Sequence, residues 1–195
     1  MTKIQKFRIG FILILGIAVA GVIAYAQIKA KPDTVQTFGG AYSLTNHLGE
    51  RVTNEDFAQS YKLIYFGFTF CPAICPTELN RMTQVLNNLP DDVANQIQPI
   101  FITIDPERDT VEAMKNYVGL FHSRFIGLTG TAEEINHVKD IYKIYANKVQ
   151  DETMSDYTMD HSSYIYFIGP NEELIQIFKM DDSIDFIKEK IQKSI

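Results

Sequence analysis

The stretch FGFTFCPAICPTEL, residues 66–79, contains both cysteines of the 195-residue chain, Cys71 and Cys75, each followed by a proline. Its left half continues an apolar and aromatic run, residues 62–70, of the kind that forms a strand buried on both faces. Its right half starts a helical pattern in which Leu79, Met82, Val85, Leu86 and Leu89 share a face, with Pro76 expected at the first helical position. Both thiols therefore sit where a buried strand turns into a helix. Unpaired N–H groups and the positive end of the helix dipole favour thiolate there. A structural disulfide across this spacing would close a loop of only about five residues and return roughly 2 kcal/mol. A reactive pair or a metal clamp explains the spacing better.

Outward from this point the elements alternate. Residues 42–44 and 51–53 flank the turn at 46–50 and suggest a hairpin. A second buried strand covers 99–104 and ends in the polar turn 105–110. Thr110 starts a helix bearing Val111, Met114, Tyr117, Val118 and Phe121. Thr131 with Glu134 forms a capping box for another, bearing Ile135, Val138, Ile141, Tyr142 and Tyr145. Residues 147–160 read as a polar, acidic loop. Strands at 163–168 and 174–179 and a helix at 183–193 close the chain. This order predicts an α/β, thioredoxin-like fold with an added N-terminal β-hairpin.

The first 31 residues differ from the rest. Lys3, Lys6 and Arg8 precede an uncharged apolar run at 9–28, long enough to cross a bilayer. The expected organisation is a cytoplasmic N-terminus at 1–8, one transmembrane anchor at 9–28, a linker at 29–37 and a folded domain at 38–195. The run exceeds the usual signal-peptide core, which favours a retained anchor over cleavage after Ala26. Residues 32–195 hold 13 basic and 24 acidic side chains, a net charge of −11. That balance disfavours nucleic acid and suits a cation or a basic partner.

Two features separate clamp from redox pair. Thioredoxin-type oxidoreductases place two residues between their cysteines and a proline before the penultimate strand. Here there are three residues, and the segment 159–162 carries His161 with no proline between Pro106 and Pro170. Two thiolates and one imidazole form a soft, three-ligand set that suits Cu(I). Zinc would want a fourth ligand, which Asp105 or Asp160 would have to supply. His47, His122 and His137 read as ordinary solvated histidines. Met154 and Met159 read as partly buried loop residues, with Met159 the better placed of the two as a soft ligand. Glu78 reads as a favourable charge near a helix start, and Tyr65, Phe66, Phe68 and Phe70 as core.

Four pieces in order, YFGFTFCPAICPTEL at 65–79, TIDPERDT at 103–110, GLTGT at 127–131 and YTMDHSSYIYFIGP at 157–170, make the chain resemble the Sco (SenC) copper proteins. The resemblance runs from about Phe38 to the C-terminus. It implies a copper chaperone, not an enzyme, that delivers copper, as Cu(I) or Cu(II), to the dinuclear copper centre of cytochrome c oxidase. The implied metal ligands are Cys71, Cys75 and His161, with Asp105 an acidic neighbour. Neutral His161 is required, so binding should weaken in acid. The implied partners are the copper-bearing oxidase subunit and an upstream copper donor. Ala73 departs from the family pattern, which has an acidic residue there. The rival reading is a thiol–disulfide oxidoreductase that uses Cys71 and Cys75 to keep the oxidase's copper-binding cysteines reduced. A peroxidase of the peroxiredoxin kind fits the motif poorly. A bacterial cytoplasmic membrane with the domain in the periplasm is the expected location, and the mitochondrial inner membrane the alternative.

Overall fold

The computed structural model describes residues 38–150 and 156–195, together with Gly16, Ala20 and Gly21. The chain divides into two units, Met1–Gln36 and Thr37–Ile195. Gly16, Ala20 and Gly21 are helical, and the rest of the candidate anchor at 9–28 lies outside the described residues, as does Met154. Among the described residues no helix is long and apolar enough to cross a membrane.

The second unit is built on a seven-stranded sheet. The strands are β1 (Ser43–Asn46), β2 (Arg51–Thr53), β3 (Tyr61–Gly67), β4 (Ile97–Thr103), β5 (Ile126–Thr129), β8 (Ile165–Ile168) and β9 (Leu174–Phe178). Their order is β2-β1-β5-β4-β3-β8-β9. Strands β3, β4 and β5 run parallel, and the hairpin pairs at either edge run antiparallel. Leu63, Ile64, Tyr65 and Phe66 are fully buried. Successive side chains point to opposite faces, so both faces of β3 are covered, which is why it reads as an unbroken apolar run.

Helix α1 (Ile74–Asn88) packs on β3 and on α5 (Ile184–Ser194). Helix α3 (Val111–Val118) packs on β5, and α4 (Ala132–Ile141) on β1. The expected start signals operate. Thr110 Oγ1 accepts from the Ala113 N–H, and Thr131 and Glu134 form a capping box; Ser183 adds a cap on α5 that was not expected. A short helix α2 (Asp91–Ala94) follows Pro90 and was not expected.

Several expectations need correction. Strand β3 stops at Gly67, so a turn of three residues separates it from Cys71. Helix α1 begins at Ile74, which puts Cys75 inside its first turn and Pro76 at the third position, where a missing N–H is still harmless. Helix α4 ends at Ile141 because Lys143 takes a left-handed φ of 56°, and the Ile144 N–H closes back on the Lys139 carbonyl. Tyr145 is consequently off the helix and exposed. Phe70 is 59% exposed and does not belong to the core. The largest difference lies in the supposed loop at 147–160. Strands β6 (Ala146–Val149) and β7 (Thr158–His161) pair antiparallel as a separate two-stranded sheet, with Ala146 opposite His161.

Candidate metal centre

The turn after β3 delivers the first thiol. Asp109 is fully buried and accepts from the Thr69 N–H and hydroxyl and from the Thr103 hydroxyl. It thus ties the segment entering Cys71 to the end of β4. The Cys71 N–H donates to the Phe68 carbonyl at 3.3 Å, which completes the turn.

Ala73 is the N-cap of α1 and offers no side-chain cap. The sulfur of Cys71 takes that place by accepting the Cys75 N–H at 3.3 Å. The Cys71 thiol is lowered to about 4, chiefly by its hydrogen bond with Cys75, against the opposing effect of burial. Hydrogen bonds from His161 and from backbone amides add to the lowering. Cys75 is raised, because its thiol is the donor to that thiolate and is itself fully buried. The pair is asymmetric: a half-buried thiolate lies beside a buried thiol, and the two are not joined as a disulfide.

Gly67 makes room for the second sulfur. A Cβ there would stand 2.8 Å from Cys75 Sγ, so any side chain would displace it. The Tyr65 hydroxyl lies 3.9 Å from the same sulfur.

His161 arrives from β7, and its Nε2 lies 3.7 Å from Cys75 Sγ. Its Nδ1 is 3.0 Å from the Ser162 carbonyl. A carbonyl can only accept, so Nδ1 donates to it, and Nε2 is the nitrogen that faces the sulfur. In this orientation Nε2 is the nitrogen that a neutral imidazole would offer to a metal, with Nδ1–H held by the carbonyl. Tyr65 and Phe68 hold the imidazole edge-on, with centroids at 6.2 and 5.9 Å. A cavity of about 290 Å³ opens beside the group, lined by Cys71, Pro72, Ile74, Met159 and His161 among others.

The structure therefore brings Cys71, Cys75 and His161 together. Met159 is buried in the hairpin and lines the same cavity. Asp105 is buried nearby, but Arg108 and Tyr157 occupy its two oxygens at 2.6 and 2.8 Å. Asp160 is exposed on β7, opposite Asn147. The other histidines stand apart. His47 and His122 each accept a backbone N–H through Nδ1, and His137 meets the Ala41 carbonyl. Glu78 is not a helix-dipole charge, being buried and paired with Arg81 at 2.5 Å. Sequence reasoning missed Gly67, Asp109, Arg108 and Tyr157. The last three lie in or beside polar turns, where nothing local announces a long-range partner.

The charge asymmetry has a direct chemical consequence. In the reduced, metal-free protein, alkylation of Cys71 by iodoacetamide is expected to stay nearly constant from pH 8 down to about 5, since thiolate is the reacting form. An unperturbed thiol would slow about tenfold per pH unit over that range. Cys75 should label only after unfolding. Mass spectrometry of the labelled peptides distinguishes these outcomes, and a tenfold slowing of Cys71 per unit below pH 8 would contradict the assignment.

Fold and site together define a thioredoxin-like domain in which a thiol pair at a helix start meets an imidazole carried on a separate hairpin. The SCO1/SenC family model matches residues 30–195, and the chain belongs to this family. It is 45% identical over 142 residues to the mitochondrial SCO1 homolog of Homo sapiens, covering 72% of this chain and 47% of that protein. It is 41% identical over 158 residues to an SCO2-like protein of Rickettsia conorii, covering 80% and 76%. ScoI of Bradyrhizobium japonicum, solved with copper bound, superposes with a TM-score of 0.74 at 35% identity, covering 81% of this chain and 99% of that one. The chain spans about half the length of the mitochondrial relatives it matches.

Proposed function

We propose that this chain is a membrane-tethered copper chaperone that binds one Cu(I) through Cys71, Cys75 and His161. It then passes the ion to the dinuclear copper centre on the copper-bearing subunit of cytochrome c oxidase. The observation that carries this reading is the soft donor set brought together at the start of α1, with the Cys71 thiol shifted toward thiolate and His161 Nε2 at 3.7 Å from Cys75 Sγ. The copper-bound ScoI relative supports it. Cys71 offers its thiolate as first contact. Cys75 gives up its proton as the second sulfur binds, so acid opposes loading. His161 completes the set from the hairpin and is the ligand that a recipient can displace. The apolar run at 9–28 would hold the domain at a membrane, facing the periplasm of a bacterium or the intermembrane space of a mitochondrion, where an upstream donor supplies the metal.

The asymmetric thiol pair favours a second reading, reduction of the recipient's disulfide. The Cys71 thiolate would attack one sulfur of that disulfide and release the other as a thiol. The Cys75 sulfur, on losing its proton, would then displace the mixed disulfide. The products are a Cys71–Cys75 disulfide and a reduced partner.

His161→Ala separates the two readings. It is expected to weaken Cu(I) retention more than about 100-fold, beyond the range for loss of an outer partner, while thiol–disulfide exchange stays near wild type. Competition with a Cu(I) chelator and a disulfide-exchange assay measure the two effects. Wild-type oxidase assembly by this variant, alongside failure of both cysteine variants, would favour the redox reading.

A further inference from the structure

Among the described residues the hairpin β6–β7 has no ladder to the main sheet, and its two strands pair with each other. Its hold on the body of the domain therefore rests on side chains. The exposed pair Lys148–Glu107 is one such contact and contributes little. Met159 is another, buried against the core.

The densest contact is at Arg108, in the turn between β4 and α3. Arg108 Nε donates to Asp105 Oδ2 at 2.6 Å, and Nη1 donates to the Tyr157 carbonyl at 2.9 Å and to Asp156 Oδ2 at 3.3 Å. The guanidinium carbon lies 3.7 Å from the centroid of the Tyr157 ring and 4.8 Å from that of Phe70. The Tyr157 hydroxyl closes the triangle by donating to Asp105 Oδ1 at 2.8 Å. Asp105 is 1% exposed, so it is a rigid anchor and not a solvated charge. Tyr157 immediately precedes β7, the strand that ends on His161.

We propose that Arg108, acting with Asp105 and Tyr157, is a positioning residue for the metal centre: it clamps the loop end of the hairpin, where β7 begins, and so holds the strand that carries His161 Nε2 against the thiols. The inference rests on the reading of His161 as a ligand. Asp109, next to Arg108, fixes the segment entering Cys71. Two consecutive side chains of one turn thus serve the two halves of the site. The clamp sets how readily the imidazole leaves. A ligand that must be surrendered to a recipient benefits from a hairpin that opens locally, through one planar, charge-assisted contact, without disturbing the sheet.

Arg108→Gln in the full-length, metal-free protein tests the clamp by amide hydrogen exchange. Exchange over 158–162 is expected to quicken about tenfold, the effect of losing one charge-assisted contact, while β3, β4 and residues 74–79 stay at wild-type rates. X-ray absorption of the Cu(I)-loaded variant should keep two sulfurs and lose most of the nitrogen seen in wild type. Should that variant fail to fold, Tyr157→Leu removes the stack and the hydroxyl from the loop end of the hairpin and is expected to give the same local change. Unchanged hairpin exchange, or acceleration spread equally over β3 and β4, overturns the clamp. Faster hairpin exchange with a full nitrogen shell overturns the positioning role. A wild-type protein that shows no nitrogen at all overturns the ligand reading of His161, and with it the positioning role, whatever the exchange rates.

Discussion

Cys71→Ser and Cys75→Ser are each expected to abolish stoichiometric retention of Cu(I) by the reduced protein, with affinity falling well beyond the roughly 100-fold attached to supporting residues. A serine hydroxyl is a hard donor and stays protonated at neutral pH, so each change leaves one thiolate and one imidazole for a soft ion. The two variants should differ in a second respect. Cys71 is half-buried and caps α1 through its sulfur, so its loss costs about one cap, near 1 kcal/mol. Cys75 is fully buried between Gly67 and Tyr65, and a hydroxyl there must find its own partner. Metal analysis after gel filtration, with a chelator present, measures the first effect, and thermal unfolding the second. One equivalent of Cu(I) retained by either variant would remove that cysteine from the ligand set.

The largest stability effect is expected away from the metal centre, at Arg81→Ala. Arg81 Nη2 pairs with the buried Glu78, and Nη1 donates to the carbonyls of Lys179, Met180 and Asp182 at 2.8 to 2.9 Å. One side chain thereby joins α1 to the connection between β9 and α5. Burial already pushes the Glu78 carboxyl up, against the opposing pull of Arg81. Without the guanidinium, Glu78 becomes an uncompensated buried charge. Such losses cost about 3–5 kcal/mol, a large share of the roughly 5–15 kcal/mol that holds a domain together. Urea unfolding of the metal-free protein gives the number, and a loss below about 1 kcal/mol would show that Glu78 escapes to water or takes up a proton at little cost. The cysteine turn should keep its geometry as long as the domain is folded, so Cys71 alkylation is the control.

Strands β3, β4 and β8 and the caps at Thr110 and Thr131 were legible along the chain. Each depends on neighbours within a few residues: an unbroken apolar run, or a hydroxyl three residues before the N–H it accepts. The hairpin β6–β7 was not legible. Its first strand is exposed at Asn147, Lys148 and Val149, and in its second only Met159 is buried, so no alternation marks either strand. Glu78 was misread because its charge looked solvated, and the cation that buries it is held by carbonyls about one hundred positions further on.

The sequence by itself determined the chemistry available to this protein: two thiols four positions apart at a helix start, where the Cys71 sulfur caps the helix and its hydrogen bond with Cys75 favours thiolate. It also determined the central sheet, because burial on both faces leaves a continuous apolar signature. Only the tertiary structure decided that His161, 86 positions from Cys75, would meet that sulfur at 3.7 Å with the correct nitrogen forward. The same holds for Arg108, whose hold on the hairpin depends on Tyr157, 49 positions away. Such contacts depend on strand order and packing, and no local periodicity encodes them, because the residues that meet have no shared repeat along the chain.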